Sequence, residues 1–67
     1  MAITDSALSR IITSQAPIPG ASLATRILVN KLRIQASADP SSLGTRIAEL
    51  SAFVLKNPSV EAELAGF

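Results

Sequence analysis

Arg26, Asn30 and Arg33 are the residues whose types and spacing come closest to a recognisable chemistry in this chain of 67 residues. The two arginines are seven positions apart with the asparagine between them, so on a helix the three side chains share one edge. Arginine and asparagine at such a spacing can read base edges in a DNA major groove, and arginine can also hold phosphates. The three residues therefore predict a candidate nucleic-acid contact.

The charge balance makes nucleic-acid binding the alternative rather than the leading hypothesis. The chain has six basic and five acidic residues, for a net charge of +1, whereas non-specific affinity for nucleic acid comes from several phosphate contacts. Phe53 and Phe67 are its only aromatic residues, which leaves little surface for stacking on bases.

Catalysis and metal binding lack their usual side chains. The chain has no His and no Cys, which removes the commonest general base, the best nucleophile and the usual ligands of zinc. Glu61 and Glu63 are two positions apart on a short predicted helix and therefore point in different directions. Asp5 and Asp39 are better explained as helix starts. We expect no enzyme, no metal, no cofactor and no small-molecule substrate.

A six-residue motif, Ser-x-x-(Ser/Thr)-Arg-Ile, occurs at residues 6–11, 22–27 and 42–47. Each copy places an apolar residue and an isoleucine on one side of a helix. The copies fit either a remote duplication or a recurrent helix-start pattern. In both cases we expect each copy to open a helix with the same core-facing positions.

Prolines and capping residues divide the chain into helices. Asp39-Pro40 and Asn57-Pro58 each place a capping side chain before a proline whose missing amide costs nothing at a helix start. The Pro-Ile-Pro-Gly sequence at 17–20 is a stiff link that should hold Ile18 in the core. The alternation typical of strands is absent. The sequence predicts a single all-α domain over residues 1–67, a small three- to four-helix bundle with short Pro/Gly-containing connections and helices at about 4–14, 21–36, 40–56 and 58–65.

The second helix is predicted to be apolar on two sides, which is typical of a helix shared between a core and a partner. Aligned with the third helix, its core-facing stripe would consist of Leu23, Ile27 and Ile34. The other side, predicted to contact a protein partner, consists of Leu28, Val29 and Leu32. Asn30 lies inside the predicted core stripe, and a buried asparagine of this kind can fix the register of an association.

The composition also favours a protein partner. Apolar residues make up 48% of the chain and charged residues 16%, with a mean hydropathy of +0.40. Residues 1–38 carry a net charge of +3 and residues 39–67 of −2, so one molecule could attract another head to tail. The leading hypothesis is a small non-enzymatic accessory protein that docks on a larger complex or forms a homo-oligomer.

Neither a membrane span nor a signal peptide is expected. The longest apolar runs, 27–29 and 52–55, are far shorter than the ~20 residues of a span. The N-terminus also lacks a basic region followed by an apolar one. We expect a cytoplasmic protein.

Overall fold

The computed structural model describes residues 3–67, which form four α-helices and one 3-10 turn and contain no strand. The prediction of a small all-α bundle is confirmed. The 3-10 turn covers Pro40–Ser42. The helices are α1 (Asp5–Thr13), α2 (Leu23–Ala38), α3 (Leu43–Lys56) and α4 (Pro58–Ala65).

The start of α1 and the link that follows it agree with the sequence. The Thr4 hydroxyl accepts a hydrogen bond from the Ala7 backbone N–H at 3.1 Å, which satisfies one of the free amides at the helix start. In the link between α1 and α2, Ile18 is buried between two exposed prolines. The prediction that Ile18 belongs to the core is confirmed.

The start of α2 is held from two sides. The Ser22 hydroxyl accepts a hydrogen bond from the Thr25 backbone N–H at 3.4 Å, and the backbone N–H of Ser22 donates to the carboxylate of Glu63 on α4. A carboxylate at this end of a helix also meets the positive end of its dipole. Both ends of α2 lie two residues later than the predicted 21 and 36.

The two Asx-Pro sequences mark helix starts, but neither side chain caps a helix amide. Asp39 accepts a hydrogen bond from the Ser41 hydroxyl at 2.6 Å, and α3 begins only at Leu43, after the 3-10 turn. The Asn57 side-chain amide donates to the Phe53 carbonyl at 3.1 Å. The Asn57 side chain therefore contributes to the end of α3, where it satisfies a free carbonyl, while its backbone carbonyl accepts the first hydrogen bond of α4 from Val60 at 2.8 Å.

The core is formed where α1 packs against α2 and α3, and where α4 packs against α3. It is almost wholly aliphatic, and Thr25 is the buried polar residue among those described. The buried apolar residues are Leu8, Ile11, Ile12, Ile18, Val29, Leu32, Ala36, Leu50, Val54, Val60 and Leu64.

The structure confirms that α2 is apolar on two sides but reverses the predicted faces. The side facing the core carries Thr25, Val29, Leu32 and Ala36. The side predicted to face the core is exposed and carries Leu23, Ile27 and Ile34. Asn30 fits this arrangement, because its side-chain amide stays in water on the exposed side, whereas a buried amide needs a hydrogen-bond partner.

The repeated motif consequently has no uniform structural meaning. Its last isoleucine is buried in the first copy, as Ile11, exposed in the second, as Ile27, and half-buried in the third, as Ile47. Ser22 caps α2, whereas Thr4 rather than Ser6 caps α1. The expectation of identical core-facing positions is wrong, because the neighbours that cover each helix differ.

Candidate protein-interaction surface

Four residues form a continuous line on the outer side of α2: Leu23, Ile27, Asn30 and Ile34, here named the α2 seam. Leu23, Ile27 and Ile34 are 64%, 61% and 70% exposed, and Asn30 is exposed between them. At about 100° per residue the four positions fall within an arc of roughly 60°. The seam is therefore one narrow stripe rather than scattered apolar residues.

The seam lies almost opposite the face that α2 turns to the core. At about 100° per residue, the centre of the buried positions is roughly 160° from the centre of the seam. The seam spans three turns, about 17 Å along the helix at a rise of about 1.5 Å per residue. None of the other described elements covers it, as the exposure of its three aliphatic side chains requires.

The residues predicted to bind a partner do not lie on this surface, apart from Asn30. Val29 and Leu32 are 1% and 0% exposed, and Leu28 is half-buried and packs against the core. Val29 and Leu32 cannot touch a partner while the domain stays folded. We therefore correct the predicted surface: Leu23, Ile27 and Ile34 take the place of Leu28, Val29 and Leu32.

Basic side chains flank the seam. Arg26 lies on one side and Lys31 on the other, each roughly 70° from the centre of the seam at about 100° per residue. Both are exposed, and among residues 3–67 neither has a carboxylate within ion-pair distance, the ion pair there being Arg46–Glu49 at 2.8 Å. The surface therefore combines an apolar stripe with two free positive charges.

Arg33 has a different role from Arg26. Its Nε donates a hydrogen bond to the Ile11 carbonyl near the end of α1 at 2.9 Å, and burial lowers the pKa of its guanidinium. The side chain thus joins α1 to α2 as well as contributing positive charge to this side of the helix.

The structure brings together the three residues of the candidate nucleic-acid contact. They line one shallow groove of about 290 Å³ between α2 and the link that follows α1. The remaining lining residues are Gln15, Pro17, Ile18 and Val29. The groove adjoins the seam through Asn30.

A larger groove of about 650 Å³ lies between α1 and α4. Its lining is mainly aliphatic and includes one basic and one acidic side chain, Arg10 and Glu61. Within residues 3–67 no group of three or more His, Cys, Asp or Glu side chains is placed to hold a metal ion. No helix in the same range has both the length and the apolarity that crossing a bilayer requires.

Comparisons of the chain with protein-family models, with curated proteins and with solved structures gave no match.

Sequence reasoning missed Leu23, Ile27 and Ile34 as surface residues, although a signal was present. Asn30 lies in the middle of their stripe, and basic residues lie on both of its flanks. The stripe through Val29 and Leu32 instead has the smaller hydroxyl of Thr25 at its start and a basic residue, Arg33, on one flank only. A polar interruption between charged flanks is typical of a helix face that remains in water until a partner covers it.

Proposed function

We propose that this domain is a small non-enzymatic protein–protein interaction or assembly module that docks through the α2 seam. The observation that supports the proposal is the exposure of Leu23, Ile27 and Ile34 on one line of one helix. Isolated surface aliphatic residues are common, whereas contiguous ones mark interaction sites.

The free energy available at the seam is sufficient for docking. Fully burying a Leu or Ile side chain is worth ~1.5–3 kcal/mol, and about two thirds of each of the three side chains is still exposed. Covering all three would contribute roughly 3–6 kcal/mol before the costs of association are subtracted. Docking through the seam alone would be weak and reversible, and contacts along its flanks would strengthen it.

Site-specific photo-crosslinking in cells of the native source tests the proposal. A photoreactive residue replaces Ile27 in one version of the full chain and Leu55 in the other. Leu55 is a matched control because it is an aliphatic residue on α3 with 66% exposure. We expect a discrete crosslinked adduct from position 27 that disappears when Ile34→Asp is added, and no adduct from position 55. Equal adducts from both positions, or none from position 27, would overturn the proposal.

Nucleic-acid binding is the second candidate, because Arg26, Asn30 and Arg33 line one groove. The hydrogen bond from Arg33 to Ile11 and the low net charge weigh against it. A titration with a labelled duplex at low and high salt tests this candidate. Affinity that falls with salt and is lost in Arg26→Ala combined with Asn30→Ala would favour it, and salt-independent or absent binding would remove it.

A further inference from the structure

We infer that the partner of the α2 seam is an amphipathic helix whose own apolar stripe is flanked by acidic residues. This inference rests on the proposed function, since it names the chemistry of the partner that covers the same surface. It depends on three observations: the spacing of the seam, the sign of its flanking charges, and the lack of a suitable complement in a second copy.

The spacing of the seam matches that of a coiled-coil stripe. Successive seam residues are four, three and four positions apart, which is the alternation of the a and d positions in a heptad repeat. A helix lying along such a stripe places its side chains between those of the seam. The occupant that fits this geometry is another helix, with about three turns in contact.

The charges that flank the seam specify the sign of the charge that the partner carries beside its own stripe. In heptad terms Arg26 and Lys31 occupy the g and e positions, whose side chains set partner choice through charge pairs. The whole of α2, from residue 23 to 38, contains no acidic residue, so nothing on this helix neutralises the two charges. A partner with acidic residues beside its stripe meets attraction on both sides, and a basic partner meets repulsion on both.

A second α2 seam is a poor occupant for the same reason. In a parallel pair, Arg26 of one copy would face Lys31 of the other. In an antiparallel pair, arginines would face arginines and lysines would face lysines. Both arrangements bring like charges together, and Asn30 adds no compensating charge.

The acidic elements of a second copy do not offer a suitable stripe either. On α4, which carries Glu61 and Glu63, the large apolar side chains Val60 and Leu64 are buried. On α3, which carries Glu49, the exposed large apolar residue is Leu55 alone. The described part of the chain therefore contains no exposed apolar stripe with acidic flanks, and a different protein supplies it.

Two synthetic helical peptides test the inference. Both are roughly three heptads long with the same Leu and Ile stripe, and differ only in carrying Glu or Lys at the flanking e and g positions. We expect the acidic peptide to bind the full chain on the order of tenfold more tightly than the basic peptide at low salt, about 1.4 kcal/mol. The difference should shrink near 1 M salt, where the screening length falls to about 3 Å.

Variants of the chain identify the surface that binds the acidic peptide and the charges that select it over the basic peptide. Ile27→Asp should abolish binding of the acidic peptide, whereas the matched Leu55→Asp should leave it unchanged. Arg26→Glu combined with Lys31→Glu should reverse the preference, so that the basic peptide binds more tightly. Circular dichroism of each variant checks that the helices remain formed, as expected for exposed positions.

Each contrary outcome overturns the inference in a distinguishable way. Equal binding of the two peptides, or an unchanged preference in the double variant, would show that the flanking charges do not select the partner. Binding of neither peptide would exclude an acidic helix as partner, while the crosslinking result at position 27 would still decide the proposed function. A dimer of the chain alone in sedimentation, lost in Ile27→Asp but not in Leu55→Asp, would show that a second copy covers the seam.

Discussion

Replacing Leu32 and Ile34 by alanine, one at a time, tests directly which side of α2 holds the domain together. The two residues are isomers of equal size on the same helix, two positions apart, with 0% and 70% of their surface exposed. Truncating a buried leucine costs about 2–5 kcal/mol, since it removes buried methyl groups and leaves a cavity. Truncating an exposed isoleucine in a helix should change stability by about 0.5 kcal/mol or less, because alanine is the better helix former.

The expected difference between the costs of Leu32→Ala and Ile34→Ala is large relative to the free energy of unfolding of the whole domain. At about 0.05–0.15 kcal/mol per residue, a chain of 67 residues is stable by roughly 3–10 kcal/mol. Leu32→Ala could therefore leave part of the protein unfolded in water. Val29→Ala is a less disruptive substitution on the same core-facing side of α2, with an expected cost of about 2 kcal/mol for the two methyl groups removed.

Urea unfolding followed by far-UV circular dichroism measures these free energies, since the chain has no Trp or Tyr for fluorescence. Each variant is measured at two protein concentrations, so that any contribution from self-association is detected. A cost for Ile34→Ala equal to or greater than that for Val29→Ala, at both concentrations, would refute the assignment of the core face.

Three further substitutions test local features of the fold. Gly44→Ala should stabilise the protein by up to about 1 kcal/mol, because no side chain or backbone atom beyond the adjacent residues and the surrounding helix backbone lies within 4 Å of the added methyl group. The melting temperature should rise by roughly 4–8 °C per kcal/mol, and a lower melting temperature would contradict this. Thr4→Ala should cost about 0.5–2 kcal/mol in urea unfolding because it removes the cap of α1. The control Thr45→Ala, at an exposed position in the first turn of α3, should cost little, and equal costs would count against the cap. The hydrogen bond from the Ser22 backbone N–H lowers the pKa of Glu63 below its ordinary 4.5, so its contribution to stability is present above pH 4.5 and is lost as the pH falls through the lowered value. Glu63→Gln should therefore lower the urea midpoint at neutral pH and weaken its decline in acid, and an unchanged acid decline would contradict the role of this carboxylate.

The helix boundaries could be predicted because they depend on local chemistry. Proline fixes the backbone and removes an amide wherever it stands, so Pro17, Pro40 and Pro58 separate the helices in the sequence as they do in the structure. The side-chain caps were less predictable. Asp and Asn side chains can bond to neighbouring groups in several local patterns, and the sequence does not specify that Asp39 accepts from Ser41 while Asn57 donates to Phe53.

The core face of α2 could not be read from periodicity alone. Both stripes of the helix satisfy the helical period, and periodicity does not specify which neighbours cover which stripe. The decisive information was in the polar residues: Asn30 lies in the exposed stripe, and Thr25, in the buried one, has the Ser22 hydroxyl within hydrogen-bond distance at 3.2 Å. A hydroxyl with a partner close by can be buried at little cost, whereas an amide without one cannot.

The two opposed apolar faces of α2 couple folding to association. Helices in proteins take most of their stability from tertiary packing of one face rather than from helix propensity, so the seam keeps its shape only while the other face of α2 is packed in the core. A ligand of the seam binds the folded state alone, and at a concentration a hundred times its Kd it would add about 2.7 kcal/mol to the free energy of unfolding. That gain is a substantial fraction of the roughly 3–10 kcal/mol expected for a domain of this size. Resistance to proteolysis and thermal lifetime would then be properties of the complex, and values measured on the isolated chain would be their lower limit.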